Sequence, residues 1–512
     1  MKFRYLDMTL KYILGITFLC AQITTQAAYS PYPLEIFQPR AGLDINNRFY
    51  RAYPGLQYQT QVATVGGAYP YTYGLSGPSG MTINEDTGVI TWPNPPASAI
   101  PYDVSTTVTD SESNTSQVAW TITVTTEKFL FVDAVNGTSN ATGTIDDPLK
   151  TFVDVYGGTT YADKYSDKRA DHFVYFKTGT YFVDGYTGGQ YKLQYTAKHP
   201  MVLMAYPGES PVLDMSQHCV WMETQSDNFY VEGFEVTPIS GPENSRFAFR
   251  IGGNSNDVTL RNNYFHNLDA TSGSNNQAVI MATKTSTSGS NWAVQNNRFE
   301  DIYHGYGIIG YTVENLLFAD NMMKRFDDPT GTSSHPIGPK EGTSKWFIRN
   351  NRILNSEDHG IWLFYNSDSH NFGDIEISYN MVQMDSDNGL ALSVNQTRAE
   401  SGGAVHVFRN TFIGNITLFA MGDNVGPIAM KDNVVINSMA STIVCESCYN
   451  MDNVSNNGQL EGSTSDNIVD RKGDLIGQYT NRVGLVGYQV SGSSIKSQPL
   501  APNSLKAIHR TQ

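Results

Sequence analysis

Seven consecutive residues, His335-Pro-Ile-Gly-Pro-Lys-Glu341, bring an imidazole, an amine and a carboxylate together in one short apolar stretch. Proline removes a backbone donor, so two prolines in a segment that otherwise reads as a strand break a local rule, as functional sites tend to do. A lysine whose ammonium is destabilised can act as a base, a neighbouring cation can neutralise a carboxylate, and histidine or tyrosine can return a proton. That set suits β-elimination from a uronic-acid polymer, where the C5 proton is removed, the adjacent carboxylate is neutralised and the leaving oxygen is protonated. Lys340, His335, Glu341 and Tyr311 are the expected catalytic residues, with Lys340 as base or carboxylate neutraliser and His335 or Tyr311 as acid. Arg250, Lys284, Tyr365, His359 and Asn395 are the expected substrate-binding residues.

Other chemistries compete for the same chain. Glycoside hydrolysis needs two carboxylates flanking the scissile bond, and Asp327-Asp328, Glu357-Asp358 and Asp385 with Asp387 are candidate pairs. Asp320, Asp327 and Asp328 form a candidate calcium set, so Ca2+ is the one cofactor expected. A third reading is non-catalytic glycan binding or adhesion through the aromatic and basic residues.

The elements that must hold these residues are announced by a repeat. Asparagines at 263, 297, 321, 351, 380, 410 and 433 each follow an extended run and precede a hydrophobic residue, as in Val294-Gln-Asn-Asn-Arg-Phe299 and Ile348-Arg-Asn-Asn-Arg-Ile353. Their spacings of 34, 24, 30, 29, 30 and 23 residues indicate stacked units, and units this short and extended predict strand coils, hence a parallel β-helix. The amide of each asparagine is expected to bond the equivalent one in the next coil, a scaffold role. A second strand in each coil ends near Arg250, Lys284, Tyr311, Lys340, Tyr365 and Asn395, which predicts a basic and aromatic stripe along one face. Arg349 precedes an Asn turn as Arg261 does and is expected to be structural.

Residues 28–126 have a different texture, with alternating runs such as Tyr102-Asp-Val-Ser-Thr-Thr-Val-Thr-Asp110 and Val118-Ala-Trp-Thr-Ile-Thr-Val124 between turn signals. That pattern predicts a small β-sandwich. Before it, Lys2, Arg4 and Lys11 precede a short apolar core and the small residues around Ala27, the signature of a signal peptide over residues 1–27. The expectation is a secreted, extracellular or periplasmic monomer that spans no membrane. The formal charge is −15, and losing the three basic and one acidic residues of the leader makes it −17, which argues against a nucleic-acid partner. An acidic polysaccharide would need a local basic groove. Cys445-Glu-Ser-Cys448 admits a local disulfide, a metal half-site or two thiols.

Two resemblances sharpen this reading. Gly80-Met-Thr-Ile-Asn-Glu-Asp-Thr-Gly-Val-Ile-Thr-Trp92 resembles the core of Ig-like, cadherin-like modules of bacterial secreted proteins, with Met81 in place of leucine. Phe129-Leu-Phe-Val132, Thr142-Gly-Thr-Ile-Asp-Asp-Pro148 and Phe173-Val-Tyr-Phe-Lys-Thr-Gly-Thr-Tyr181 resemble the entry to the pectate-lyase-like, right-handed parallel β-helix superfamily. The resemblance implies a cap over residues 127–200, coils from about 200 to 440 and a capping tail over 440–512, all within a β-helix of residues 127–512. The coil at Lys340 also resembles chondroitinase-B and alginate lyase enzymes, in which a lysine ends one strand and an arginine the next. Here Phe364-Tyr-Asn366 stands at the arginine position, and Ser333 and His335 stand where calcium-binding carboxylates are usual. Glu357-Asp-His-Gly360 is similar to elements of polygalacturonase-type hydrolases, although contiguous here. Together these features predict an all-β chain, a small Ig-like sandwich followed by a right-handed parallel β-helix acting on an acidic polysaccharide.

Overall fold

The computed structural model describes residues 30–40, 47–156, 172–181, 193–195, 201–216, 220–238, 247–269, 278–327, 335–364, 373–385, 389–395, 403–420, 427–436, 442–445, 448–451 and 454–455. The signal peptide, Tyr365, Asp328, Asp387 and the tail beyond residue 455 lie outside the described residues.

Residues from Phe129 onward form a right-handed parallel β-helix of three long parallel sheets, with 12, 11 and 10 strands. Each coil contributes one strand to each sheet in turn, as with Ser344–Arg349, Arg352–Ser356 and His359–Phe364. Inward side chains stack by type along the axis: Phe265 lies on Phe299 with ring centroids 4.9 Å apart, and Ile280, Ile308, Ile337 and Ile361 repeat through one continuous apolar core. The coils begin earlier and end later than the sequence predicted. Phe129–Val132 and Phe173–Phe176 are already the first two rungs of the 12-stranded sheet, and strands continue to Val454–Ser455. Extended apolar runs and a flush register outweigh the cap-like turn residues between them. The open end is covered by the short helix Phe152–Tyr156, whose Phe152 and Val155 join the core.

The asparagine ladder forms as predicted. Nδ2 of Asn263, Asn297, Asn321, Asn351, Asn380 and Asn410 each donates to Oδ1 of the next, at 2.9 to 3.1 Å. The same Oδ1 accepts the backbone N–H of the preceding asparagine, for example Asn321 N to Asn351 Oδ1 at 3.0 Å. The left-handed residue of each turn is the one before the ladder position, with φ of 53 to 59° at Asn262, Asn296, Asp320, Asn350, Tyr379, Arg409 and Asp432. Asn and Asp tolerate that conformation best, whereas the ladder asparagines are selected by their buried amides.

The N-terminal sandwich has Tyr58–Gln61, Thr82–Ile83 and Val89–Trp92 in one sheet and Arg51–Ala52, Thr72–Ser76, Tyr102–Thr109 and Thr115–Val124 in another. Its core holds Tyr58, Ile90, Trp92, Val108, Trp120 and Ile122. The module is docked along the outer face of the 12-stranded sheet. Phe37, Ala63 and Val65 pack on Ala293, Leu317, Ala319 and Phe347. Polar groups fix the register: Arg40 forks onto Asp257 at 3.1 and 2.8 Å, Gln38 Nε2 donates to Asn291 O at 2.6 Å, and Tyr379 OH donates to Tyr69 O at 2.7 Å. Arg349 is buried here as a structural residue, with Nη1 donating to Tyr71 OH at 2.5 Å and Nη2 to Thr64 O at 3.0 Å.

Candidate functional site

With the 12-stranded sheet covered, the 10-stranded sheet presents the notable chemistry. Its strand His335–Pro339 sits between Tyr306–Gly310 and His359–Phe364. Toward Tyr306–Gly310 it pairs over four positions, but toward His359–Phe364 the register is recorded only at Ile337 with Ile361. The prolines thin the ladder on that side without expelling the strand from the sheet.

Register fixes three outward rows. Tyr306 pairs with His335, and His359 falls at the same position in the following coil, two residues before the Ile337–Ile361 pair. Ile309 pairs with Gly338, and Trp362 follows Ile361 in the same row. Gly310 pairs with Pro339, so Tyr311 and Lys340 share the row beyond, and the backbone register carries it through position 364 to Asn395. Gly338 is the opening in the middle: a Cβ there would lie 2.6 Å from Tyr306 Cε1. Without that methyl, Tyr306 and Trp362 lean across the intervening coil until their rings stand 6.2 Å apart and 9° from parallel.

Lys340 extends over this pair, with Nζ 4.3 Å from the Trp362 centroid and 5.2 Å from that of Tyr306. Burial pushes its ammonium down to about 8, and the carboxylate of Glu341 opposes the shift. The residue is only 6% exposed, so desolvation outweighs its attraction to the rings and to Glu341. Burial and then Glu341 push Tyr311 up to about 12, keeping its phenol protonated at neutral pH. Burial likewise raises Tyr306 above its ordinary range.

His335 and His359 also pack against Trp362. Their rings are 4.5 Å apart and nearly perpendicular, and His335 lies 4.2 Å from Trp362 and 4.8 Å from Tyr306. Asp358 reaches both imidazoles, with Oδ1 3.0 Å from His359 Nδ1 and Oδ2 3.6 Å from His335 Nδ1. Lys340, His335, Glu341, Tyr311 and His359 thus come together in neighbouring coils.

The remaining predicted residues are placed differently. Asn395 lies in the Lys340 row, one coil beyond Phe364. Arg250 pairs with Met281 two positions before that row, and exposed Lys284 falls one position past it, so the predicted stripe is broken. The strands differ in length, so their ends do not coincide in register and the two cations fall outside the row. Of the candidate calcium set, the two described members stand apart: Asp320 precedes the strand Met322–Asp327 and Asp327 ends it, roughly 20 Å of extended chain. Asp320 instead accepts from Asn350 Nδ2 at 2.6 Å inside the module interface, where burial raises its carboxyl despite Arg349. Cys445 and Cys448 fall in strands of two different sheets.

Three participants were not singled out as such from the sequence. Tyr306 and Trp362 read as ordinary strand aromatics, and Asp358 as half of a hydrolase pair. The available signal was the five-residue offset shared by Tyr306 to Tyr311 and His335 to Lys340, which superposes both ends of the two strands.

No curated protein matches the chain. Among solved structures, pectate lyase Pel9A is 14% identical and aligns over 68% of this chain and 82% of its own, with a TM-score of 0.46. The GH136 lacto-N-biosidase from Eubacterium ramulus is also 14% identical, over 64% of this chain and 63% of its own, with a TM-score of 0.37. The family model described as "Putative Ig domain" matches residues 46–125, the sandwich docked on the solenoid.

Proposed function

We propose that the chain is an exported enzyme that cleaves an acidic, uronic-acid-containing polysaccharide by β-elimination, with Lys340 as the base. The observation that carries this reading is a buried lysine held against two aromatic rings beside a tyrosine and two histidines, on the solenoid face opposite in role to the one the sandwich occupies. A base poised near its working pH transfers protons most effectively, and burial brings Lys340 there. Neutral Nζ would take the C5 proton, and Tyr311, protonated up to about 12, would supply one to the leaving oxygen. Trp362 offers a face for a sugar ring, and the imidazoles packed against it would meet the uronate carboxylate. Glu341 opposes the loss of charge on Lys340 and so tunes it rather than taking a proton itself.

The test is incubation with alginate, pectate and glycosaminoglycans, following the ultraviolet absorbance of the unsaturated uronate together with new reducing ends. Both signals should rise, and both should vanish in Lys340→Ala while the far-ultraviolet β-sheet spectrum is retained. Reducing ends without absorbance would replace this reading with hydrolysis, and silence in both on every polymer would replace it with glycan binding.

A further inference from the structure

The two imidazoles and the carboxylate beside Trp362 carry more than substrate contacts. We infer that His335, Asp358 and His359 form a binding site for a transition-metal dication of the Zn2+ type. One donor atom from each lies within 4.8 Å of the others, the one such group of three among the described residues. Donors about 2.1 Å from a tetrahedral ion lie roughly 3.4 Å apart, so the widest pair must close by only about 1.4 Å. The closure falls mainly to Asp358, whose side chain is 47% exposed, whereas His335 is held by the edge of Tyr306 and by Trp362, and His359 packs on both His335 and Trp362.

The donor chemistry selects the ion. Two imidazoles and one carboxylate suit Zn2+, Co2+ or Ni2+, whereas calcium takes six to eight oxygen ligands. Three protein ligands would leave a fourth position for water or another small ligand. The three residues arrive from two successive coils: His335 opens one strand, while Asp358 and His359 lie where the next begins. Coil stacking therefore aligns the ligands, as it aligns the asparagine ladder.

This site shares His335 and His359 with the proposed elimination site, but its readout is metal binding, which is measured without turnover. Chelator-treated, tag-free protein titrated calorimetrically with ZnCl2 should take up one equivalent, and Co2+ should give a visible ligand-field spectrum. Asp358→Asn and His359→Gln, each checked for an unchanged β-sheet spectrum, should weaken Zn2+ binding by about a hundredfold. Glu314→Gln, exposed on another sheet, should not. CaCl2 at the same concentration should give no comparable heat. Absence of Zn2+ uptake, uptake indifferent to both ligand variants, or calcium binding more tightly than zinc would each overturn the site.

Discussion

Two cations at the ends of solenoid strands are held between aromatic rings, and they have opposite consequences. Arg349 ends a strand of the 12-stranded sheet and lies 4.6 and 5.2 Å from the rings of Tyr71 and Tyr69 of the docked sandwich. Lys340 follows a strand of the 10-stranded sheet and lies 4.3 and 5.2 Å from Trp362 and Tyr306 of its own solenoid. Burial would lower both, but at Arg349 the phenols of Tyr71 and Tyr73 and the carboxylate of Asp320 outweigh it, holding the guanidinium above its ordinary range. At Lys340 burial prevails over the carboxylate of Glu341, and the ammonium falls to about 8. A guanidinium forks onto several acceptors and keeps its proton, while a buried amine releases one. The same arrangement therefore clamps two domains on one face and leaves an easily deprotonated amine on another.

Exchanging the chemistry without the charge separates the two roles. Lys340→Arg keeps a cation over Trp362 but cannot deprotonate, so elimination should fall by about a hundredfold or more. Unsaturated-uronate absorbance on the best polymer measures this, and substantial activity in the arginine variant would remove Lys340 as base. Arg349→Ala should do the reverse. It leaves Tyr71 OH, Thr64 O and the buried Asp320 short of a partner, at a cost of roughly 3 kcal/mol. Thermal unfolding should report that loss while turnover per folded molecule is unchanged.

The repeat was legible because it is written in residue types that the backbone demands. Buried asparagines at 263, 297, 321, 351, 380, 410 and 433 and the alternation in residues 28–126 expose the solenoid and the sandwich without any knowledge of contacts. The docking of the two was not legible, because Arg40 with Asp257 and Ser30 with Glu376 join residues 217 and 346 positions apart. The site was legible in part. Prolines 336 and 339 mark the unusual strand, and Lys340, His335 and Tyr311 are found from strand ends alone. Tyr306, Trp362 and Asp358 depend on register between coils of unequal length, and Arg250 and Lys284 drop out for the same reason.

The pH response sharpens the contrast further. With Lys340 as base, turnover should fall about tenfold per pH unit below a midpoint near 8. The unfolded chain keeps this proton up to the ordinary value of 10.5, so between about 8 and 10.5 it binds more protons than the folded one. Stability from this group therefore rises with pH across that window and is lost as pH falls through 8. Denaturant titrations of native protein and Lys340→Met should diverge in that sense, whereas Arg349 contributes no such slope.

The finest discrimination lies at Gly338, which has no counterpart in the Arg349 clamp. A methyl there would meet Tyr306 Cε1 at 2.6 Å and must push the ring off the opening. The Tyr306 ring is packed on His335 and Trp362 and must shift to admit the methyl, so Gly338→Ala should cost about 1 to 3 kcal/mol of stability. Moving the ring uncovers Lys340 on one side and relieves part of the desolvation that depresses it. The midpoint of the pH–turnover profile should then rise above 8, with the acid limb keeping its tenfold slope. A variant with unchanged midpoint would show that Tyr306 does not control the burial of Lys340, leaving Trp362, the nearer ring, to hold the amine alone.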